Sequence, residues 1–344
     1  MMKAAILRTL NAPLSIEDVT TAPAERGQVE VRIAASGLCH SQLLEVRGKR
    51  GEDRFLPHLL GHEASGVVES VGPGVTRVAA GDHVVLTWIK GEGISAGGPT
   101  CTDRGGLRVH AGPIATFGER AVVSEDRVTP IRKDMPLDLA ALLGCAVATG
   151  AGSVFNTASL KGGESVAVFG AGGIGLNAIQ AASASGAALV IAVDVHDPKL
   201  AVARTFGATH TVHAGREDAV AALLGLTGRR GVDVAIESAG QKISMEQAFA
   251  SVRTGGGRAI LIGNLPAGQS ISIDPFDLIR GKRIVGSWGG ETLPGRDIPR
   301  YADLFMEGKL KLRELISHRF GLHEINLALD ALERGEVTRA LIEI

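Results

Sequence analysis

Apolar runs alternate with helical patterns along the second half of the chain. Residues 166–169 and 188–193 are continuous apolar runs, which are typical of strands buried on both faces of a parallel sheet. Residues 176–182, between them, follow a helical pattern. Further strands are predicted at 232–237, 258–263 and 283–287, and further helices at 198–206, 218–226 and 244–251. Strands that alternate with helices predict a doubly wound parallel sheet.

The first 150 residues follow a different pattern, in which short strands are separated by glycine turns. Residues 28–33 alternate apolar and polar side chains with period two, as expected for a half-buried strand. A glycine-rich stretch at 92–112 is expected to be a loop. Other strands are predicted at 3–7, 14–19 and 117–123, and helices at 137–143, 146–160, 297–306 and 324–333. Residues 59–72 are predicted to be a turn carrying His-Glu that leads into a strand, and residues 81–86 to be another turn and strand. Short strands at this frequency predict a small β-barrel, to which we expect the C-terminal segment to return.

Glycines follow the first buried strand of the second half in the spacing G-x-G-x-x-G. Gly170 permits a tight turn, Gly172 lets the backbone approach a pyrophosphate, and Gly175 lets helix and strand pack closely. The next strand ends in Asp194, 19 residues after Gly175, near the spacing expected for the acid that binds an adenosine ribose. The order of these features predicts a dinucleotide site. The alternative is an ordinary glycine turn followed by a strand that ends in Asp.

Length and composition limit the possible classes of protein. A chain of 344 residues predicts two domains or one large domain. The formal net charge of −1 gives no electrostatic footprint for nucleic acid or for an anionic membrane. We expect no transmembrane helix, because no apolar run approaches about 18 residues. Charge comes too early at the N-terminus for a signal peptide, so we expect a cytoplasmic protein.

The chain has three cysteines, Cys39, Cys101 and Cys145. A sparse, odd set favours metal binding or catalysis over a disulfide framework. Two thiolates and one imidazole, as in Cys39, Cys145 and His62, suit zinc, and three ligands leave a fourth position for water or substrate. The residues are far apart in the sequence, so spacing alone leaves alternatives. Cys145 would then be a small core residue and His62 a hydrogen-bonded loop histidine.

Three segments carry a family resemblance. They are Gly-Leu-Cys-His-Ser at 37–41, Gly-His-Glu-Ala-Ser-Gly-Val-Val at 61–68 and Gly-Cys-Ala-Val-Ala-Thr-Gly at 144–150. Together with the glycine turn that follows, they resemble the zinc-containing medium-chain alcohol dehydrogenases, over essentially the whole chain. The resemblance implies an α/β fold with a GroES-like β-barrel catalytic domain and a doubly wound Rossmann domain.

The domain organisation and activity follow from the same resemblance. The catalytic domain would span 1–152, with 291–344 returning to it, and the NAD-binding domain 153–290, with the active site in the cleft between them. The implied activity is the reversible oxidation of an alcohol, apolar or aromatic, to an aldehyde or ketone with NAD, in a homodimer or homotetramer. One alternative is a polyol or sugar dehydrogenase, although such relatives tend to carry Glu at the position of Cys145. Another is a non-catalytic nucleotide-binding protein that kept the fold.

The resemblance also assigns the metal site. Cys39, His62 and Cys145 would bind one catalytic zinc, which acts as a Lewis acid. Glu63 would lie behind the metal, either as a transient ligand or as a buried, paired carboxylate that only tunes the site. Ser41 would accept the proton of the alcohol hydroxyl, or would only cap a helix.

Cofactor and substrate residues are implied in the same way. His40 and Arg339 match positions near the cofactor pyrophosphate, although both could be solvated surface charges. Trp88 and Phe117 match aromatic positions that line the substrate pocket, although both could be core residues. The complete set implied to bind the cofactor is Thr149, Gly170, Gly172, Gly173, Ile174, Gly175, Asp194, Lys199 and Arg339.

This sequence departs from the family pattern at three places. Gln42 stands where an Asp is usual, which removes a carboxylate from the surroundings of the metal. Leu44 stands where a His often passes the proton to solvent, so the proton needs another exit, through ribose hydroxyls, His40 or water. Many members hold a structural zinc with four cysteines in the loop after Trp88, but this chain has only Cys101 there. We therefore expect one zinc per chain and no structural zinc.

Overall fold

In the computed structural model of the chain, residues 1–266 and 268–344 are described. Their internal packing separates two compact units. Unit 1 comprises Met1–Cys145, Leu293–Met306 and Leu312–Ile344, and unit 2 comprises Ala146–Thr292 and Glu307–Lys311. Most of the C-terminal segment therefore belongs with the N-terminal residues.

The strands are numbered in chain order. They are β1 (Met2–Leu7), β2 (Ser15–Thr21), β3 (Gln28–Leu38), β4 (His58–Leu59), β5 (Glu63–Val71), β6 (His83–Thr87), β7 (Cys101–Asp103), β8 (Arg108–Val109), β9 (Arg120–Ser124), β10 (Val128–Pro130), β11 (Ser165–Phe169), β12 (Leu189–Asp194), β13 (His210–His213), β14 (Val234–Glu237), β15 (Arg258–Leu261), β16 (Arg283–Gly286), β17 (His318–Gly321) and β18 (Ala340–Glu343).

The α-helices are numbered in the same way. They are α1 (His40–Val46), α2 (Leu137–Ala140), α3 (Ala146–Gly152), α4 (Gly173–Ala184), α5 (Asp197–Thr205), α6 (Ala219–Leu226), α7 (Lys242–Ser251), α8 (Pro275–Ile279), α9 (Pro294–Met306) and α10 (Ile325–Glu333). Short 3₁₀ turns lie at Glu125–Arg127, Ala141–Gly144, Gly289–Glu291, Arg313–Leu315 and Leu322–Glu324, and a π-helical turn at Ser153–Thr157.

Unit 1 is built on two largely antiparallel sheets. One has the order β4-β1-β2-β7-β8, and the other has the order β10-β6-β5-β3-β18-β17, with β9 also paired to β3. β3 lies at the centre of the second sheet and confirms the predicted period of two, because Val29, Val31 and Ile33 are buried and Arg32 is exposed. The C-terminal β18 pairs antiparallel with β3, which places Leu341 opposite Gly37. The last strand of the chain thus forms part of the same sheet as the segment that leads to Cys39.

The stretch 92–112 is not a continuous loop, which corrects the expectation from its glycines. It contains β7 and β8, and β7 pairs antiparallel with β2. Cys101 and Val109 are buried there in a cluster with Met2 and Ile6. Two apolar residues anchor this hairpin, too few to form a visible pattern in the sequence.

Unit 2 is built on a six-stranded sheet in the order β13-β12-β11-β14-β15-β16, and all its pairs are parallel. Counted along the chain this order is 3-2-1-4-5-6, a common order of dinucleotide-binding sheets. The predicted apolar run forms β11, whose Val168 lies between Ala192 and Ile236 on the neighbouring strands. The strand order reverses between β11 and β14, where such sheets bind ligands at their carboxyl ends.

Three elements of unit 2 differ from the sequence prediction, and one of them is the five-residue helix α8, which was not predicted. β13 was not expected, because His-Thr-Val-His holds a single buried apolar residue, Val212. The helix predicted at 146–160 continues beyond Gly152 only as a π-helical turn. Close packing requires glycine here, since a Cβ on Gly150 would lie 2.3 Å from the Ile174 carbonyl oxygen. Glycine weakens the helix that it allows to pack.

The membrane prediction concerns single helices. Among the described residues, no single helix is long and apolar enough to cross a membrane. One bent pair, Leu137–Gly144 with Ala146–Thr157, passes the same test together, by length and composition only. Residues 139–154 of this pair are buried inside the protein, as core helices are.

Candidate active site

Three elements of unit 1 bring Cys39, His62 and Cys145 together. Cys39 is the N-cap residue of α1, His62 directly precedes β5, and Cys145 follows the turn Ala141–Gly144. Their potential ligand atoms all lie within 4.8 Å of one another. His62 Nε2 is 3.3 Å from Cys145 Sγ, so this nitrogen faces the thiols. The fold thus assembles the three predicted ligands from positions far apart in the chain.

The donor set and its spacing fit zinc. Zinc–thiolate bonds of about 2.3 Å and zinc–imidazole bonds of about 2.0–2.1 Å place tetrahedral ligand atoms about 3.5 Å apart. The observed separation of 3.3 Å between His62 Nε2 and Cys145 Sγ is close to that value. Three protein ligands leave one position for water or substrate, which is the arrangement of catalytic zinc sites.

The two thiols differ in acidity. The pKa of Cys39 lies well below its ordinary value, because Cys145 donates a hydrogen bond to the thiolate and His62 and Arg339 add positive charge. The same contact and burial raise the pKa of Cys145 well above its ordinary value. The Cys39 thiolate is therefore formed first, ready to act as a ligand.

Glu63 and Arg339 form a buried ion pair beside the thiols. Both side chains are buried, and the Arg339 guanidinium contacts Glu63 Oε1. Arg339 Nη1 also donates to the Leu38 carbonyl oxygen at 3.3 Å. Burial raises the pKa of Glu63, and the positive charge of Arg339 opposes this. Glu63 is thus a buried, paired carboxylate and Arg339 is not a surface charge, while a contact of Arg339 with the cofactor stays a prediction.

Burial lowers the pKa of Arg339, but the negative charges of Glu63, Cys39 and Cys145 raise it above its ordinary value overall. Arg339 therefore stays cationic beside the thiols of Cys39 and Cys145. A buried cation at this place offsets part of the negative charge that two thiolates and a carboxylate bring together.

Glycines beside the ligands make room for Glu63. A Cβ on Gly37 would lie 2.6 Å from Glu63 Cδ. A Cβ on Gly144 would lie 2.4 Å from the Leu86 carbonyl oxygen and 3.0 Å from Glu63 Cβ. Two of the glycines in the family segments are therefore required by packing around the buried carboxylate.

Helix α1 places two side chains near His62. Gln42 Nε2 contacts His62 Nδ1, and Ser41 Oγ lies 3.4 Å from the same nitrogen. Ser41 lies in the first turn, after the N-cap Cys39, so it is not the helix cap. His40 is exposed, and Leu44 is partly buried on the same helix. The structure thus puts Ser41 beside the proposed ligands, while its part in proton transfer stays a prediction.

The glycine turn of unit 2 has the geometry of a phosphate site. Gly170 has a φ of +92°, and a Cβ there would lie 2.9 Å from the Ala239 nitrogen. A Cβ on Gly175 would lie 1.8 Å from the Gly170 carbonyl oxygen. A Cβ on Gly172 would meet no described atom within 4 Å apart from its chain neighbours. Gly172 caps α4, which Gly173 and Ile174 begin, so the open side faces a helix N-terminus.

Asp194 connects the second strand to this turn. Its Oδ2 accepts a hydrogen bond from the Ala171 N–H at 2.8 Å. Its Oδ1 accepts from the N–H groups of Val195 and His196 at 2.8 and 3.0 Å. A carboxylate offers about four lone-pair positions, two on each oxygen, so Oδ2 keeps capacity for a ribose hydroxyl.

The remaining predicted residues are divided between the two units. Thr149 is buried on α3, and Lys199 is partly buried on α5. Trp88 is partly buried in unit 1. Phe117 is only 2% exposed and packs in a core cluster with Leu60 and Leu322. Phe117 is thus a core residue of unit 1, and a substrate-lining role for it or for Trp88 stays a prediction.

Sequence reasoning missed a basic side chain near Asp194. Arg216, which follows β13, pairs with Asp197 at 2.6 Å. The parallel register places His213, at the end of β13, opposite Asp194. Because β13 was not predicted, nothing in the sequence linked Arg216 to the end of β12.

Two family models match the chain. The alcohol dehydrogenase GroES-like domain matches residues 25–133, and the zinc-binding dehydrogenase family matches residues 173–307. The first range lies in unit 1 and contains Cys39 and His62, and the second begins at the start of α4. Both halves of the chain thus match the same enzyme class.

Individual relatives agree over the full length. The chain is 34% identical over 372 residues to an alcohol dehydrogenase class-3 from Cereibacter sphaeroides, covering 99% of both chains. It is 33% identical over 371 residues to an S-(hydroxymethyl)glutathione dehydrogenase from Paracoccus denitrificans, again covering 99% of both. The crystal structure of benzyl alcohol dehydrogenase from Acinetobacter calcoaceticus superimposes with a TM-score of 0.89 at 30% identity, covering 100% of this chain and 99% of that one. This chain therefore belongs to the zinc-containing medium-chain alcohol dehydrogenases.

Proposed function

We propose that this chain oxidises an apolar or aromatic alcohol to an aldehyde or ketone with NAD, using one zinc bound by Cys39, His62 and Cys145. The observation that carries the proposal is the convergence of these three donors within 4.8 Å. Three ligands of this kind are suited to catalysis, because they leave one position for substrate. A non-catalytic protein that kept the fold would have no need to keep this donor set.

Zinc bound at these residues would supply a Lewis acid that lowers the pKa of a hydroxyl group. The family resemblance implies that Ser41 accepts the proton, and its Oγ lies 3.4 Å from His62 Nδ1, beside the proposed ligands. From Ser41 the proton would leave by way of the exposed His40, by ribose hydroxyls or by water, because Leu44 cannot carry it. The buried pair of Glu63 and Arg339 would balance charge behind the ligands.

The substrate class rests on the aromatic Trp88 and on the similarity to a benzyl alcohol dehydrogenase. A second candidate substrate is S-(hydroxymethyl)glutathione, because a relative with that activity in its name is 33% identical over 99% of the chain. A polyol is less favoured, since Cys145 occupies the position where polyol dehydrogenases tend to carry Glu.

A substrate panel tests this proposal. Primary, secondary and aromatic alcohols, a polyol and S-(hydroxymethyl)glutathione are offered with NAD, and turnover is measured by NADH absorbance. We expect the highest kcat/KM with an apolar or aromatic alcohol. A polyol or S-(hydroxymethyl)glutathione as the best substrate would overturn the substrate class. Absence of turnover with every alcohol by zinc-loaded protein would overturn the proposed activity.

Cofactor choice is proposed from the charges near Asp194. A 2′-phosphate placed beside Asp194 would meet a like charge, and such a juxtaposition costs several kcal/mol. Arg216 could offset the negative charge of the phosphate, but Arg216 already pairs with Asp197. We therefore expect NAD to be preferred over NADP by at least about 100-fold in kcat/KM, roughly 2.7 kcal/mol.

Replacing the ribose acid tests this preference. Asp194→Gly should weaken NAD and admit NADP, which narrows the gap in kcat/KM between the two cofactors. Steady-state kinetics with both cofactors measure it, with Asp218→Asn as a control, because Asp218 caps α6 instead. Comparable efficiency of NAD and NADP in the unmodified protein would mean that Asp194 is not the ribose ligand.

The remaining proposals concern the number of zinc ions, the domain bounds and the oligomeric state. We propose one zinc per chain, since the Cys101 thiol is buried beside Thr21 and Pro99 and a structural site needs four ligands. We also keep the domain organisation of 1–152 with 291–344, and 153–290, and a homodimer or homotetramer, as predictions.

A further inference from the structure

Gln42 connects two groups of the proposed zinc site. Its side chain on α1 is only 2% exposed. Gln42 Oε1 accepts a hydrogen bond from the Cys39 N–H at 3.0 Å, and Gln42 Nε2 contacts His62 Nδ1. One amide therefore lies between the backbone of one proposed ligand and the ring of another.

The position of the proton on the His62 ring determines whether Gln42 must accept or donate a hydrogen bond there. His62 Nε2 faces Cys145 Sγ at 3.3 Å, so it is the nitrogen available to a metal. A neutral imidazole that binds a metal through Nε2 carries its proton on Nδ1, and that N–H normally donates to a carboxylate or carbonyl oxygen. With zinc bound, the side chain of Gln42 thus faces two donors, the Cys39 N–H and the His62 Nδ1–H.

Because one end of the amide lies at Cys39 and the other at His62, Gln42 can satisfy only one of the two donors from this position. A glutamine side chain has one acceptor oxygen and one NH₂ donor, whereas a carboxylate has two acceptor oxygens. As the structure stands, the oxygen serves Cys39 and the NH₂ faces His62. Turning the amide over would serve His62 but would place the NH₂ against the Cys39 N–H. In either orientation of the amide, the N–H of Cys39 or the Nδ1–H of His62 faces the Gln42 NH₂ group, which is itself a donor. Ser41 Oγ, at 3.4 Å from Nδ1, is a distant substitute.

We propose that Gln42 is a positioning residue that limits the zinc affinity of this chain, because it orients His62 with one acceptor fewer than a carboxylate would provide. This inference rests on the proposed zinc site. It predicts that the chain holds zinc more weakly, and exchanges it more readily, than the same chain with an acidic side chain at this position.

Zinc affinity tests the inference directly. It is measured by competition with a chelator of known affinity, in the unmodified full-length protein and in Gln42→Glu and Gln42→Met. Gln42→Glu keeps the side-chain shape and adds the second acceptor, and we expect it to tighten zinc binding by about 10- to 100-fold. Gln42→Met removes the acceptor, and we expect it to weaken binding by a similar order.

A matched control separates the hydrogen bond from added buried charge. Gln28 is also a buried amide of unit 1, and it bonds the backbone of Glu25 and Gly97. Gln28→Glu should leave zinc affinity within about twofold. Melting temperatures with and without zinc complete the test, because a merely structural change lowers both forms equally, while a change in affinity alters the increment that zinc adds.

The result that overturns the inference is zinc affinity in Gln42→Glu that equals or falls below that of the unmodified protein. If Gln42→Glu does not fold, unchanged affinity in Gln42→Met overturns it equally. Failure of the zinc site itself looks different, since Cys145→Ala would then bind zinc as tightly as the unmodified protein.

Discussion

Unit 1 contains two groups of three side chains that could hold a metal by distance alone. In each group the potential ligand atoms lie within 4.8 Å of one another. We refer to them as the thiol cluster (Cys39, His62 and Cys145) and the acid cluster (Glu45, Asp53 and His58). They differ in what their donor atoms already bind.

In the acid cluster, His58 and Asp53 are already bonded to each other and to backbone groups. His58 Nε2 lies 2.8 Å from Asp53 Oδ2, and its Nδ1 lies 2.9 Å from the Leu59 carbonyl oxygen. Asp53 Oδ1 accepts from the Phe55 N–H at 2.9 Å. Both ring nitrogens thus face oxygen atoms of the protein. A metal would have to replace bonds that are already formed.

The thiol cluster cannot satisfy itself in this way. Sulfur is a weak hydrogen-bond acceptor, so the contacts of Cys145 and His62 with the Cys39 thiolate satisfy it poorly, and the positive charge around it favours the thiolate. Closeness of potential ligands is thus a weak sign of a metal site. Donor atoms that the protein's own hydrogen bonds satisfy poorly are the stronger sign.

The largest expected effect comes from removing a thiol. Cys39→Ala should lose zinc, and its kcat should fall by more than about 100-fold. That loss exceeds the usual effect of replacing a residue that only supports a metal ligand. NAD binding should remain, because the glycine turn belongs to unit 2. Zinc analysis, kinetics and NAD titration measure the three quantities.

The matched variant in the acid cluster is His58→Ala. It should keep its zinc and most of its kcat, whatever it loses in stability. Loss of zinc from His58→Ala comparable to that from Cys39→Ala would abolish the distinction between the clusters.

A smaller effect is expected on stability in the acid cluster. Burial raises the pKa of Asp53, but the Phe55 N–H and His58 lower it below 3.8 overall. A lowered pKa stabilises the fold above the unfolded pKa, and this stabilisation is lost as the pH falls through the folded pKa. Asp53→Asn should therefore cost about 1–2 kcal/mol of unfolding free energy near pH 7, with unchanged zinc content.

Urea unfolding near pH 7 and near pH 3 measures this difference. The gap between Asp53→Asn and the unmodified protein should shrink at the lower pH, because both then carry a neutral side chain for part of the time. If the difference in unfolding free energy is constant or grows towards low pH, the bonds of Asp53 to His58 and to the Phe55 N–H do not stabilise its charged form. The acid cluster would then be open to another role.

The smallest effect is expected at the third thiol. Burial raises the pKa of Cys101, so the thiol is unreactive and lies with apolar side chains. Cys101→Ser should cost about 1 kcal/mol of stability at most and should leave the zinc count unchanged. A lower zinc content in Cys101→Ser would reveal a second site that uses this residue.

The sequence allowed the parallel sheet to be predicted because its strands are continuous apolar runs in a fixed order with the glycine turn. β13 escaped prediction because Val212 is its only buried apolar residue. The hairpin of β7 and β8 escaped because Cys101 and Val109 are too few to form a pattern.

The candidate site could be predicted only from resemblance, since Cys39, His62 and Cys145 meet through tertiary packing and share no local spacing. The pairing of Glu63 with Arg339, and the place of Gln42 between Cys39 and His62, depend on side-chain positions that no sequence pattern encodes. The acid cluster carried no signal either, because Glu45 lies on α1, Asp53 between α1 and β4, and His58 on β4, and these positions share no recognised ligand spacing.

The most direct test of the account is the zinc count per chain in the unmodified protein and in Cys145→Ala, each measured by elemental analysis after removal of loosely bound metal. We expect one zinc in the unmodified protein and less than about a tenth of a zinc in Cys145→Ala, because a thiolate ligand contributes much of the affinity of such a site. One zinc retained in Cys145→Ala, or two zincs in the unmodified protein, would contradict it.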